Sequence, residues 1–334
     1  MDNLKPTELF ELYWRFADLR QNIYLRQLAQ LPPPHTSDKI LREYKFTNAY
    51  RAADRVSQYL INHVIYGLCN ESPIENKIFN VLLFKLFNRT NTWERIVQEI
   101  GFPNYRNGPD PIVNGLRAII SNGDRIYSAA YIMPPPKSWH DKPKFERHIR
   151  VLFKEVSSGL LNQLAECRSI KSTYNRLLEI ESIGKFLAYQ YAIDIAYCPD
   201  FQAEESQFVV AGPGALRGIA KCFKGTKGHT PEEIILFTYE NQRKFFKKYG
   251  INFPYLGGRE LQPVDCQNLF CELDKYTRVS HPQFSEASGR IRIKQKYFPN
   301  MEPVTGWFPP KWGINEALSR QLNEIKYERI HYDR

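Results

Sequence analysis

The sequence predicts a mainly α-helical fold. Three observations predict it. Apolar residues recur at three- and four-residue spacing, as in Leu9, Leu12, Tyr13, Phe16, Leu19, Ile23 and Leu28. Prolines and glycines punctuate such stretches at helix-length intervals. Strand signals are sparse, namely residues 208–210 (FVV) and 290–297 (RIRIKQKY), so only a few short strands are expected, towards the C-terminus.

The first helix is expected over residues 4–31, where Pro32, Pro33 and Pro34 stop it. Thr36, Ser37 and Asp38 offer an N-cap for a second helix running to about Gly67. Leu41, Tyr44, Ala49, Ala52, Val56, Tyr59, Leu60 and Val64 would form its buried stripe. Arg51, Asp54, Arg55 and Gln58 would share another face. Pro73 restarts a helix through Ile78, Val81, Leu82 and Leu86. Thr92 caps the next, closed by Gly101 and Pro103, and Pro109 to Pro111 open another through Ile120. Pro134, Pro135 and Pro136 begin a loop reaching Pro143. That loop is the expected boundary between lobes 1–143 and 144–334, although it can equally join two helices of one lobe. Helices resume over residues 145–167 and 172–179.

Composition narrows the function classes. The chain has 334 residues, with 46 Lys plus Arg against 36 Asp plus Glu, a formal charge of +10. Hydrophobic residues make up 43% and charged residues 25%, which suits a soluble globular chain able to bury a core. Aromatics reach 14%, and basic charge with many rings suits a partner bearing phosphates and stackable bases. A Tyr- and Phe-filled core with a solubilising Lys coat satisfies the same numbers. The uncharged run 56–70 is too short for a membrane span and contains Gln58, Asn62 and His63. The opening residues are too charged for a secretory leader. A cytoplasmic location without a membrane partner is therefore expected. The six cysteines (69, 167, 198, 222, 266 and 271) are scattered and read as reduced thiols.

Several chemistries lack their motifs. The chain contains no G-x-x-x-x-G-K-[ST], no G-x-G-x-x-G, no G-x-S-x-G, no H-E-x-x-H and no deaminase zinc signature. No cofactor and no metal site are expected.

Residues 177–197, LLEIESIGKFLAYQYAIDIAY, read as a helix, a short turn at residues 181–184 and a second apolar helix. Gly184 allows close approach, and the second helix would aim free N–H groups, its dipole and Lys185 at a phosphate beside Ser182. This resembles a helix-hairpin-helix, which holds one DNA strand regardless of sequence. A plain αα-hairpin in the core fits too. Gly212, Pro213 and Gly214 then form a tight turn before a helix carrying Arg217 and Lys221. It is either a second anion-binding helix start or a turn with no ligand. The catalytic Asp of helix-hairpin-helix glycosylases would fall here, at Ala211 or Gly212, where this chain has none.

Residues 217–248 hold eight basic residues against Glu232, Glu233 and Glu240. In a strand, Arg290, Arg292, Lys294 and Lys296 would share a face, either tracking a phosphate backbone or protecting a solvated edge. Pro263 opens a helix on which Asp265, Glu272, Asp274 and Lys275 cluster, with Lys275 placed to pair with Glu272 or Asp274. A charged solvated face is the alternative.

Together these stretches resemble the alpha-glutamyl/putrescinyl-thymine pyrophosphorylase-like family, also described as the helical domain of 5-hydroxymethyl-deoxyuridine DNA kinase. The resemblance rests on residues 44–59, 82–94, 182–197, 211–223 and 264–276, in family order, within about residues 36–310. It implies a fold like the helix-hairpin-helix DNA glycosylases and a DNA substrate, double-stranded and bearing modified pyrimidines. The base would be flipped into a pocket, with Phe46 as an aromatic wall, Asn48 reading its edge and Arg51 holding a phosphate. Asp54 and Asp265 are the leading carboxylates, with Asp194, Glu272 and Asp274 as further candidates and Lys275 as a candidate amine. The expected reaction is excision of a hypermodified base from phage DNA, as in anti-phage defence. The alternatives are transfer onto the 5-hydroxymethyl position, as by a kinase, and non-catalytic DNA binding.

Overall fold

A computed structural model describes residues 3–67, 72–129, 133–285, 291–299 and 304–332, with side chains to residue 327. Among these the chain forms fifteen α-helices and two two-residue strands. The order is β1 (Lys5–Pro6), α1 (Glu8–Leu28), α2 (Lys39–Glu43), α3 (Arg55–Tyr59), α4 (Ile74–Phe87), α5 (Thr90–Ile100), α6 (Asp110–Ser121), α7 (Lys144–Ser157) and α8 (Leu160–Glu166). Then follow α9 (Ile170–Leu178), α10 (Lys185–Ala196), α11 (Pro213–Cys222), β2 (Phe223–Lys224), α12 (Pro231–Glu240), α13 (Gln242–Lys248), α14 (Pro263–Ser280) and α15 (Asn315–Tyr332). The mainly helical expectation holds. The chain divides into two compact units, Met1–Asp54 with Val209–Arg334, and Arg55–Phe208. The proline loop 134–143 lies inside the second.

In the first unit, Thr7 caps α1 by accepting the N–H of Leu9, and Glu8 and Glu11 complement its positive end. The buried face of α1 carries Phe10, Tyr13 and Trp14, which meet Phe223, Phe245 and Phe270. Helix α14 lies against both α1 and α11. Two glycines set the approach of α11. A Cβ on Gly214 would stand 2.2 Å from Cys271 Sγ, and one on Gly218 2.1 Å from the Phe270 carbonyl oxygen. These glycines let backbone pack on helix rather than open a cradle for a ligand.

The second unit is organised on α4, buried over nearly its whole circumference and packed by α7, α8 and α10. Lys85 on α4 lies 3.2 Å from Asp194 on α10, both buried. Helices α9 and α10 form the expected hairpin. Its turn places Ser182 in the left-handed region, at φ 71°, whereas Gly184 caps α10 with an ordinary φ of −84°. The left-handed position of the turn is thus filled by Ser182, not by Gly184.

Three local expectations give way. The second helix does not run from Asp38 to Gly67. It stops at Glu43, the chain is irregular to Tyr50, a 3-10 turn spans Arg51–Ala53, and α-helix resumes at Arg55 before a π-helical turn, Leu60–Ile65. Side-chain bonds to the backbone compete with helix there. Asn48 Nδ2 donates to the Ala53 carbonyl, and Arg20 on α1 takes the carbonyls of Phe46 and Thr47. Residues 208–210 are not a strand, and residues 291–299 have no regular structure apart from one isolated bridge, Lys296 to Tyr44. The two strands pair antiparallel elsewhere, Lys5 with Lys224 and Pro6 with Phe223. Five cysteines are free thiols, while Cys69 lies outside the described residues. Among the described residues no helix is long and apolar enough to cross a membrane.

Candidate functional site

The loop 44–54 brings the catalytic and base-pocket candidates together in the first unit. Arg20 Nη2 donates to Asn48 Oδ1 at 2.9 Å, and the Asn48 N–H donates to Asp54 Oδ1 at 2.8 Å. The Thr47 N–H donates to Glu272 Oε2 at 3.0 Å, and Lys275 pairs with that same oxygen at 2.9 Å. The Lys275 ammonium sits 4.5 Å from the centre of the Phe46 ring. The Arg51 N–H donates to Asp265 Oδ1 at 2.7 Å. Helix α14 therefore clamps the loop at three levels, through Asp265, Glu272 and Lys275.

These bonds sort the candidates. Asp265 spends its second oxygen on the Gln262 N–H, closing a capping box at the start of α14. Its two oxygens thus clasp the loop to the start of α14. The Phe46 ring is buried against Phe16 and Tyr276, with Lys275 over it, so it is a core ring rather than a bare stacking wall. The Asn48 amide is occupied at both ends, by Arg20 and Ala53, rather than turned to a base. Arg51 is buried, 2% exposed, and does not present a surface for phosphate.

Asp54 differs from its neighbours. It is half-buried, beside the fully buried Arg51, Ala52 and Ala53. Burial pushes its carboxyl up to about 7, opposed by the Asn48 N–H and aided by the Glu272 charge. A carboxyl poised there can take up and release a proton near neutral pH. Arg20, which holds the loop in place, is missed by sequence reasoning because it reads as one more charge on an amphipathic helix.

The DNA-contact candidates separate likewise. Gly184 and Lys185 are exposed at the hairpin, and a Cβ on Gly184 would meet nothing within 4 Å. Ser182 is half-buried in the same turn. Gly212 and Gly214 are buried. Lys221 is also buried, its ammonium spent on Asp274, Thr277 and Ser285, so it does not reach a DNA surface. Arg217 is drawn to Asp274 but keeps 26% of its side chain exposed. Arg292 is exposed, and Arg290 lies outside the described residues. Lys275 pairs with Glu272 rather than Asp274. Asp274 instead takes Arg278, which the sequence reading passed over although it stands four residues on. Among the described residues no group of three or more His, Cys, Asp or Glu is placed to hold a metal ion.

Comparison with known proteins settles the family. The family model described as "5-hmdU DNA kinase, helical domain" matches residues 7–286. A protein of Bacillus phage SP10 named 5-hmdU DNA kinase is 26% identical over 291 residues, 80% of this chain and 45% of the relative. The chain thus spans less than half the length of that curated relative. No solved structure matches. These matches overturn the expected excision of a base, and with it the glycosylase, hydrolase and anti-phage assignments. They point to the kinase-type alternative, in which the base keeps its bond to the sugar. On a match covering most of its length, the chain belongs to the family of 5-hmdU DNA kinase helical domains.

Proposed function

We propose that this chain holds a 5-hydroxymethyluracil of double-stranded DNA and supplies the carboxylate that accepts its hydroxyl proton during phosphoryl transfer. The observation that carries this reading is Asp54, a half-buried carboxyl raised to about 7 in the loop that Arg20 and α14 hold in shape. A base inside a duplex is inaccessible, so the nucleotide is flipped out of the stack before reaction. Asp54 takes the proton of the 5-hydroxymethyl O–H. That oxygen attacks the terminal phosphorus of a nucleoside triphosphate, and the phosphorus–oxygen bond to the leaving diphosphate breaks. Such transfer is mostly positioning and charge stabilisation, so a rigid loop carrying one well-poised base is apt for it.

The hairpin of α9 and α10 supports a grip on the duplex, as in helix-hairpin-helix proteins. Gly184 leaves open space, Lys185 is exposed, and the first N–H groups of α10 follow directly. The test is competition binding. The chain is titrated with labelled duplexes that differ only at one position, carrying 5-hydroxymethyluracil or thymine. Tighter binding of the hydroxymethylated duplex supports the reading, and equal binding refutes base recognition.

A further inference from the structure

Asp274, fully buried on α14, has three cations around it. Arg217 Nε lies 3.0 Å and Arg278 Nη2 2.7 Å from Oδ2, and Lys221 Nζ lies 3.0 Å from Oδ1. One carboxylate offsets one of the three charges. Lys221 also bonds the Asp274 carbonyl, Thr277 Oγ1 and Ser285 Oγ, which satisfies it within the fold. The two arginines are not satisfied in that way. Among the described residues Arg217 makes only its Nε bond, leaving both terminal amines without a protein partner. Arg278 Nε is buried without a partner, and its Nη1 reaches the Arg292 carbonyl only at 3.4 Å. Among the described residues the cluster therefore carries more unbonded guanidinium N–H groups than the one acceptor left without a hydrogen bond, Asp274 Oδ1, and an excess positive charge.

We propose that Arg217 and Arg278, positioned by Asp274, form a site for a phosphate group of the DNA backbone. A guanidinium presents a planar fork of donors that matches phosphate oxygens, and a phosphodiester supplies the missing acceptors and charge. Asp274 acts as the positioning residue. Burial raises its carboxyl, but bonds from Arg278, Lys221 and Arg217 outweigh burial and hold it below the ordinary range, so it stays charged in use. Adjoining charge favours a polymer. The Arg292 carbonyl touches Arg278, and Arg292 and Lys294, both exposed, follow along the same segment. The choice of DNA over nucleotide phosphate rests on the function proposed above.

The test uses Arg217→Gln and Arg278→Gln in the full chain, each leaving two cations on Asp274. Affinity is measured for hydroxymethylated and thymine duplexes across a salt series, beside ATP affinity and melting midpoint. Each variant is expected to lose roughly tenfold or more affinity for both duplexes alike. The salt slope should fall by about one for the lost phosphate contact. Arg217→Lys, which keeps the ion pair with Asp274 but not the fork, should keep the slope and lose affinity in part. Unchanged affinity and slope in folded variants overturn the site. A loss confined to ATP overturns the DNA assignment and gives the site to nucleotide phosphates. Wild-type chain that binds both duplexes equally, with the variants weakened, refutes base recognition and leaves this site standing. Wild-type chain that binds no duplex refutes both.

Discussion

Asp54 Oδ1 accepts the backbone N–H of Asn48 at 2.8 Å, closing a loop between α2 and α3 that a continuous helix would have erased. The loop is held from outside by Arg20 and Glu272. Its carboxyl stays half-buried and near neutral in pKa, at about 7, because burial outweighs that one N–H bond.

This predicts how transfer depends on pH. Only the ionised carboxylate accepts a proton, so the rate should rise as pH climbs through about 7 and level off above it. Asp54→Asn keeps an oxygen for the Asn48 N–H but cannot act as a base. It should cut transfer roughly 10²–10⁴-fold and leave duplex affinity near wild type. Single-turnover rates across pH, with binding measured in parallel, check both parts.

The same carboxyl affects stability with a definite sign. Its folded value near 7 lies above the ordinary 3.8, so the folded chain holds that proton more tightly than the unfolded chain. Stability from this group is fully present below about pH 3.8 and is lost as pH rises towards 7. Asp54→Asn should therefore raise the melting midpoint more at pH 8 than at pH 5. Thermal melts at the two pH values decide it.

Much of the fold is legible in the sequence because its helices follow strong local rules. The stripe from Leu9 to Leu28, the start of α14 at Pro263 and the α9–α10 hairpin all announce themselves by spacing, proline or an I-G turn. The site is less legible. Periodicity carries the helix straight through Tyr44 to Asp54, because bonds from Asn48, Arg20 and Glu272 leave no periodic mark. The glycines at 214 and 218 look like a phosphate turn until α14 is seen against them. The sequence reading picks out Asp54 by its family motif, but its distinction from Asp265 depends on burial and on which N–H groups each carboxylate accepts.

Packing of α11 on α14 gives a stability prediction. Gly218→Ala puts a methyl group 2.1 Å from the Phe270 carbonyl oxygen, a backbone atom that cannot swing away. The helices must separate, at a cost of about 1–3 kcal/mol. Gly184→Ala, with nothing within 4 Å of its Cβ, should cost less than that. Urea midpoints of the two variants test the contrast.

In the second unit, Lys85 and Asp194 form a buried ion pair at 3.2 Å. Lys85→Met removes a cation from beside a buried carboxylate, so it should destabilise by about 3–5 kcal/mol. Adding Asp194→Asn should recover part of that loss. Chemical denaturation of the single and double variants gives the coupling directly.

The central claim is that the chain serves transfer onto a hydroxymethylated base rather than its removal. The most direct measurement incubates wild-type and Asp54→Asn protein with ATP and duplex DNA carrying 5-hydroxymethyluracil, then digests the DNA and weighs the nucleosides. The account predicts a nucleoside heavier by one phosphoryl group with wild type and almost none with the variant. An unchanged nucleoside, or free modified base released from the DNA, would contradict it.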